Sequence, residues 1–211
     1  MTSALIEDDV PRLSGHAMEA LAEFYREQEE RKAVEIAADT DFVFHEDWQL
    51  SQFWYDEDTI DKLSTVAVKA AGPNSKIALV SCPSLFRKTE AKAGDNVKVT
   101  LFEYDTRFAA YGSSFVFYDY NSPQNIPQEN KHDYDLVVAD PPFLSEECLT
   151  KTAVAIKFLT KGKIILCTGT KMAELAQKLL DVRDKSFKPK HKSNLCNDFS
   201  CFSNLDIDQL L

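Results

Sequence analysis

Glycine is scarce, at 6 of 211 residues, and none of the six falls in a Gly-x-Gly-x-x-Gly or Walker-type run. That excludes the usual glycine-rich phosphate cradle, which needs backbone N–H groups close to the ligand with no Cβ in the way. The five cysteines are odd in number and contain no Cys-x-x-Cys pair, so neither a disulfide framework nor a paired zinc site is indicated. His191, Cys196 and Cys201 lie near one another, but "HKSNLCNDFSC" lacks zinc-ligand spacing, and no metal is expected. No apolar run approaches the ~18 residues that a membrane span needs. The opening "MTSALIEDDV" is acidic and has no apolar centre, unlike a secretory leader. A soluble cytoplasmic protein, away from membranes, is the expectation.

Positive charge is short as well, with 24 Lys and Arg against 34 Asp and Glu, a net charge of −10. The deficit is concentrated: residues 1–61 carry 17 acidic and 4 basic side chains, and the remaining 150 carry 17 and 20. A duplex-binding enzyme normally shows a basic footprint that displaces counterions, so nucleic acid is disfavoured as a partner. The acidic face either keeps the chain soluble or attracts a basic partner.

What is present is enough apolar residue, 44% of the chain, for one sizeable core. Residues 14–38 place Met18, Leu21, Phe24 and Tyr25 at helical spacing. After the aromatic "FVFHEDWQLSQFWY", the stretch "DEDTIDKLSTVAVKAA" opens with acids suited to a helix N-terminus and ends at "GPNS". Residues 1–72 are therefore expected to form an acidic helical extension packed on a core of residues 73–211. In that core, "KIALVSC", "NVKVTLFEYD", "SFVFYDYN", "YDLVVADPP" and "GKIILCTG" read as five buried strands. The helical stretches "SEECLTKTAVAIKFLT" and "TKMAELAQKLLDV" flank the last. Alternating strands and helices predict an α/β fold, a mostly parallel sheet covered on both faces. The stretch "FKPKHKSNLCNDFSCFSN" predicts a closing antiparallel hairpin.

Ligands of such sheets sit beyond the carboxyl ends of the strands, near the switch in strand order. The exits here present Ser81-Cys82-Pro83-Ser84, then Glu103 and Asp105, then Asp119, then Asp140 followed by Pro141, Pro142 and Phe143. Acids suit ribose hydroxyls and amino groups rather than phosphates. The two prolines fix two torsions and remove two donors, so the carbonyls of Asp140 and Pro141 can face outward without competing N–H groups. A carboxylate and such a carbonyl can receive both hydrogens of an amine, and Phe143 offers a flat wall, apolar or cation-attracting. The plainer alternative is a strand-to-helix turn with Asp140 as its cap.

Asp140-Pro141-Pro142-Phe143 resembles the Asp/Asn-Pro-Pro-Tyr/Phe motif of S-adenosylmethionine-dependent methyltransferases that modify amino nitrogens of adenine or of proteins. "LSQFWY", "IALVSCPSLF", "LFEYDTRF", "FVFYDYNSP" and "DPPFLSEEC", in this order, resemble more closely the lysine methyltransferases of eukaryotic translation elongation factor 1-alpha, a family earlier described as adenine-specific DNA methyltransferases. The resemblance implies a class I Rossmann-like methyltransferase core, S-adenosyl-L-methionine as cofactor and elongation factor 1-alpha as protein substrate. An adenine amine of DNA or RNA is the alternative acceptor. It also implies that Glu103 holds the cofactor's ribose, with Asp105 capping the next helix, and that Asp119 lies near the adenine ring. Ser81, Cys82 and Pro83 stand where the superfamily has a glycine-rich loop for the methionine portion, a departure from that pattern. Trp54 and Tyr55 would close over cofactor or substrate, or else pack within an N-terminal cap.

Overall fold

The structure, a computed structural model, describes residues 44–193, 195 and 197–211. The helix expected over residues 14–38 lies outside them. Residues His45–Leu211 form one compact unit. Within it, the acid-led stretch is helix α1 (Glu57–Ala71). Asp56 caps it by accepting from the Thr59 N–H at 2.8 Å, and Glu57 and Asp58 sit in its first turn, where the helix dipole favours them. Gly72 ends it at φ 86°, a conformation that a Cβ would strain.

All five parallel strands form: β1 (Lys76–Val80), β2 (Lys98–Glu103), β3 (Phe115–Phe117), β4 (Tyr134–Ala139) and β5 (Thr160–Gly169). With β6 (Arg183–Asp184) and β7 (Phe199–Ser203) they make a seven-stranded sheet of order β3-β2-β1-β4-β5-β7-β6, in which β7 runs antiparallel to both neighbours. Helices α2 (Phe86–Ala93), α3 (Glu146–Leu159) and α4 (Ala173–Leu180) complete the fold. The closing hairpin exists, but its first strand lies upstream of the predicted segment, at Arg183–Asp184. Pro189 falls in the connecting loop, as a residue without an N–H should.

Both faces of the sheet are covered, and the period-2 alternation of strands divides them. Ala78, Val80, Phe102, Val137, Ala139, Ile164 and Leu166 join Leu149, Ala153 and Ile156 of α3 and Ala176 and Leu180 of α4 in one core. The alternate residues Ile77, Leu79, Leu101, Leu136, Val138 and Ile165 point the other way and are equally buried, on the side where α1 packs against α2. The strand order reverses between β1 and β4, so the crevice outside their carboxyl ends is the switch point. Both "SCPS" and "DPPF" leave the sheet there.

Candidate active site

A cavity of about 620 Å³ opens at this switch point. Ser81, Cys82, Pro83, Glu103, Asp119, Asp140, Pro141, Pro142, Phe143 and Trp54 all line it, so strand exits spread over some sixty residues of sequence meet around one space. Tyr55 does not: it is 1% exposed and lies behind Asp140 rather than on the cavity wall.

The exit of β1 is shaped by backbone rather than by glycine. Ser81 adopts φ 55° and donates its N–H to the Phe102 carbonyl at 2.9 Å. It therefore carries the left-handed turn for which a glycine is the easier choice. Cys82 is buried, its thiol 3.6 Å from the Val138 carbonyl, and burial pushes its pKa well up, so it is a packing thiol rather than a nucleophile. Pro83 starts a short 3-10 turn that leads into α2.

At the end of β2, Oε1 of Glu103 accepts from the N–H groups of Tyr104 at 3.0 Å and Asp105 at 3.2 Å. These bonds fix the carboxyl in direction. Burial nevertheless pushes its pKa up to about 7. Asp105 behaves differently although it is also buried. Burial would raise its pKa, but it accepts from Arg107 Nε at 2.8 Å, from Arg107 Nη2 at 2.6 Å and from Gln52 Nε2 at 2.9 Å, and the net shift is downward. It also accepts from the Arg107 N–H at 3.0 Å and caps the 3-10 helix Thr106–Ser114, the capping task expected from sequence. Its partner Gln52 is a cavity residue, so this pair ties the aromatic N-terminal block to the sheet. Asp105→Ala is expected to destabilise the fold by roughly 2–3 kcal/mol, since a buried charge-assisted network loses its centre, read as a lower urea midpoint at unchanged slope.

Asp119 lies just beyond β3 and accepts from the Asn121 N–H at 2.8 Å through Oδ1. Asp140 continues β4, its N–H donating to the Val80 carbonyl at 3.0 Å. It does not cap α3; Ser145 does, accepting from the Cys148 N–H at 3.2 Å. The part of Asp140 that is exposed faces the cavity. Protein encloses it elsewhere, and burial, with the Glu103 charge in addition, pushes its pKa up to about 7. Phe143 is 44% exposed and meets Tyr120 edge-on at 5.6 Å, an aromatic corner in the cavity wall. The ammonium of Lys151 sits 5.8 Å over the Tyr120 ring, so this corner already receives one cation. Leu144 next door packs over Gly169, where an added Cβ would come within 3.1 Å of it.

The opposite wall combines distant segments. Asp56 N–H donates to the Lys190 carbonyl at 2.9 Å and Lys192 N–H to the Trp54 carbonyl at 2.8 Å. This two-segment strap brings Trp54 and His191 to the cavity. Burial keeps the His191 pKa below its usual value. Gln52, Tyr118 and His191 are cavity residues that sequence reasoning did not single out; the block "LSQFWY" contained the first, and no local signal marks the other two.

Comparison with known proteins identifies the family of the chain. A family model described as "Probable N6-adenine methyltransferase" matches residues 46–207. EEF1A lysine methyltransferase 1 of Mus musculus is 50% identical over 204 residues, 95% of this chain and 94% of the mouse protein. Its namesake in Homo sapiens is 47% identical over 208 residues, 97% of this chain and 96% of that one. The chain belongs to the EEF1A lysine methyltransferase 1 family. A Pyrococcus horikoshii protein described as an RNA methyltransferase is similar in fold, with a TM-score of 0.50 at 12% identity over 83% of this chain and 94% of that one.

The protein is thus an S-adenosylmethionine-dependent methyltransferase of Rossmann-like fold. Its site fits that cofactor on its own chemistry. The cavity offers carboxyls at two successive strand ends for hydroxyl and amino donors and a shaped turn at Ser81–Pro83, and among the described residues that line it there is no lysine or arginine of the kind that a phosphate would need.

Proposed function

We propose that this protein transfers a methyl group from S-adenosylmethionine to the ε-amine of a lysine of translation elongation factor 1-alpha. The observation that carries the reading is identity near 50% with relatives bearing that activity in their names, sustained over more than nine-tenths of both chains. The description of the matching family model names an adenine amine instead. The net charge of −10 weighs against that acceptor, because an acidic surface repels a polyphosphate backbone.

When bound, the cofactor supplies a methyl group on a sulfonium, open to in-line displacement by an amine. The chain's residues need only hold, orient and deprotonate. We assign Glu103 to the ribose hydroxyls, Asp119 to the adenine end, and the Ser81–Pro83 turn to the methionine portion. Asp140 and the Pro141 carbonyl receive the amine's hydrogens, Pro142 stiffens the turn, and Phe143 and Trp54 wall the acceptor. A lysine ammonium must first lose a proton from a group of reference pKa ~10.4, which an apolar wall promotes and a nearby carboxylate opposes. Asp140, with its pKa near neutrality, is placed to orient the amine and to accept that proton.

A cytoplasmic setting fits the reading. The four described cysteines are free and buried, in keeping with a reducing compartment, and no helix among the described residues is long and apolar enough to cross a membrane. Incubation with labelled cofactor and a cell extract should label elongation factor 1-alpha on lysine, and the label should survive nuclease. Label in adenine with none in protein would transfer the assignment to nucleic acid.

A further inference from the structure

One buried polar group beside the site has no task in the reading above. The hydroxyl of Tyr55 is closed off from solvent and has no hydrogen-bond partner. A buried hydroxyl left unpaired weakens a fold, and phenylalanine would pack the same ring without it. The hydroxyl faces the carboxyl of Asp140, with the thiols of Cys167 and Cys82 nearby, yet it makes no bond of ordinary length and angle to any of them. Its direction is fixed by its surroundings. Tyr55 pairs with His191 in an isolated antiparallel bridge, its ring lies 5.0 Å from the His191 ring, and His191 in turn packs 4.5 Å from Phe199. Burial first, and the Asp140 charge after it, keep the phenol protonated far above neutral pH. Tyr55 is therefore a permanent O–H donor held behind the carboxyl that faces the acceptor.

We propose that Tyr55 is a positioning residue for methyl transfer: its hydroxyl faces one oxygen of the Asp140 carboxyl and favours its ionised form before the acceptor arrives, and it closes to a full hydrogen bond when the acceptor is bound, leaving the other oxygen and the Pro141 carbonyl for the amine. Hydrogen bonds of this kind commonly lie long in the ligand-free site and tighten in the loaded one. The inference rests on Asp140 being the amine-orienting residue. Asp140 is faced by Tyr55 from the strap, by Glu103 from the end of β2, by Cys82 after β1, and by Cys167 of β5, which itself pairs with Cys201 of β7. Of these, Tyr55 lowers the Asp140 pKa and Glu103 raises it. Removing the hydroxyl should therefore make the carboxyl harder to ionise as well as free to turn.

Tyr55→Phe in the full chain tests this, with turnover followed across pH alongside cofactor affinity and melting temperature. Turnover at pH 7 should fall roughly tenfold or more, the low end for a hydrogen bond to a charged group. KM for the protein substrate and cofactor affinity should stay within about threefold. The acid limb of the turnover profile should move up by about half to one pH unit, so that alkaline pH restores part of the loss. Melting temperature should hold or rise, because the orphaned hydroxyl is gone. In an Asp140→Asn background the same change should have no further effect. Unchanged turnover and pH profile would overturn the proposal, as would a lowered melting temperature with a pH-independent loss. If the wild-type enzyme labels no lysine, the proposed function fails instead. The midpoint of pH-dependent S-adenosylmethionine binding, which needs no acceptor, then decides on Tyr55: a midpoint unmoved by Tyr55→Phe rejects its action on Asp140.

Discussion

Replacing Asp140 with alanine is expected to reduce methyl transfer at least a hundredfold, the lower range for a positioned acid–base group, while cofactor affinity changes by only a few-fold. The structure separates this outcome from a structural one. The strand end is held by backbone, through the Asp140 N–H and the Val80 carbonyl at 3.0 Å, which alanine keeps. The helix that follows is capped by Ser145, so the loss of about 1 kcal/mol that a missing cap brings is not expected. Nor does the folded protein gain from ionising Asp140, since burial resists it. Turnover should fall with the unfolding midpoint intact. Phe143→Ala supplies the companion test: at 44% exposure the ring is not core, and its removal should cost under about 1 kcal/mol in stability while turnover drops. An Asp140→Ala enzyme with near-normal turnover would reduce the paired prolines to a stiff turn.

The features legible in the sequence were those that short-range pattern can carry. Buried parallel strands are continuous apolar runs, and "KIALV", "KVTLFE" and "YDLVVA" stand out as such. Their exits could be read because the ligand crevice of an open parallel sheet lies at a fixed end of every strand. Asp56 and Asp105 were legible as turn acids because a cap and its target lie within three residues, whereas the cap of the helix after β4 is Ser145 and not Asp140, the residue that the sequence offered for it. What escaped depends on contacts between distant segments. Gln52 reaches Asp105 across 53 positions and Lys190 reaches Thr59 across 131, and neither period 2 nor period 3.6 registers such a pair. The strap they help fix decides that Trp54 faces the cavity and that Tyr55, one residue on, faces away from it. Adjacent aromatics in an extended segment must point oppositely, so the two could not both close over a ligand. The left-handed Ser81 was hidden for another reason: a serine gives no sign of a conformation that glycine would have announced.

Glu103 should govern cofactor binding and, through its proton, the pH dependence of both binding and stability. Glu103→Ala is expected to weaken S-adenosylmethionine binding about 10- to 150-fold, the equivalent of roughly 1.5–3 kcal/mol for hydrogen bonds to a carboxylate. The sign of the pH effect follows from where the proton sits. Burial raises the Glu103 pKa in the folded protein from its ordinary 4.5 to about 7. Between those values the unfolded chain has released the proton and the folded chain retains it, so stability falls as pH rises through this window and levels off above it. The group's full contribution to that decline is of order 3 kcal/mol. Glu103→Gln keeps an uncharged side chain at every pH, so the ligand-free variant should be more stable than wild type at pH 8 and nearly equal to it at pH 4.5. The ribose diol, however, donates to the ionised form. Cofactor binding must then release a proton, and wild-type affinity should increase as pH rises through about 7. Asp140 titrates in the same range and repels Glu103, so the two protons leave as a coupled pair; Asp140→Asn should move the midpoint down by removing that repulsion. Calorimetry in buffers of different ionisation enthalpy counts the released protons. Affinity independent of pH between 5.5 and 8, in buffers spanning about that range around the Glu103 pKa, would remove Glu103 from the ribose site.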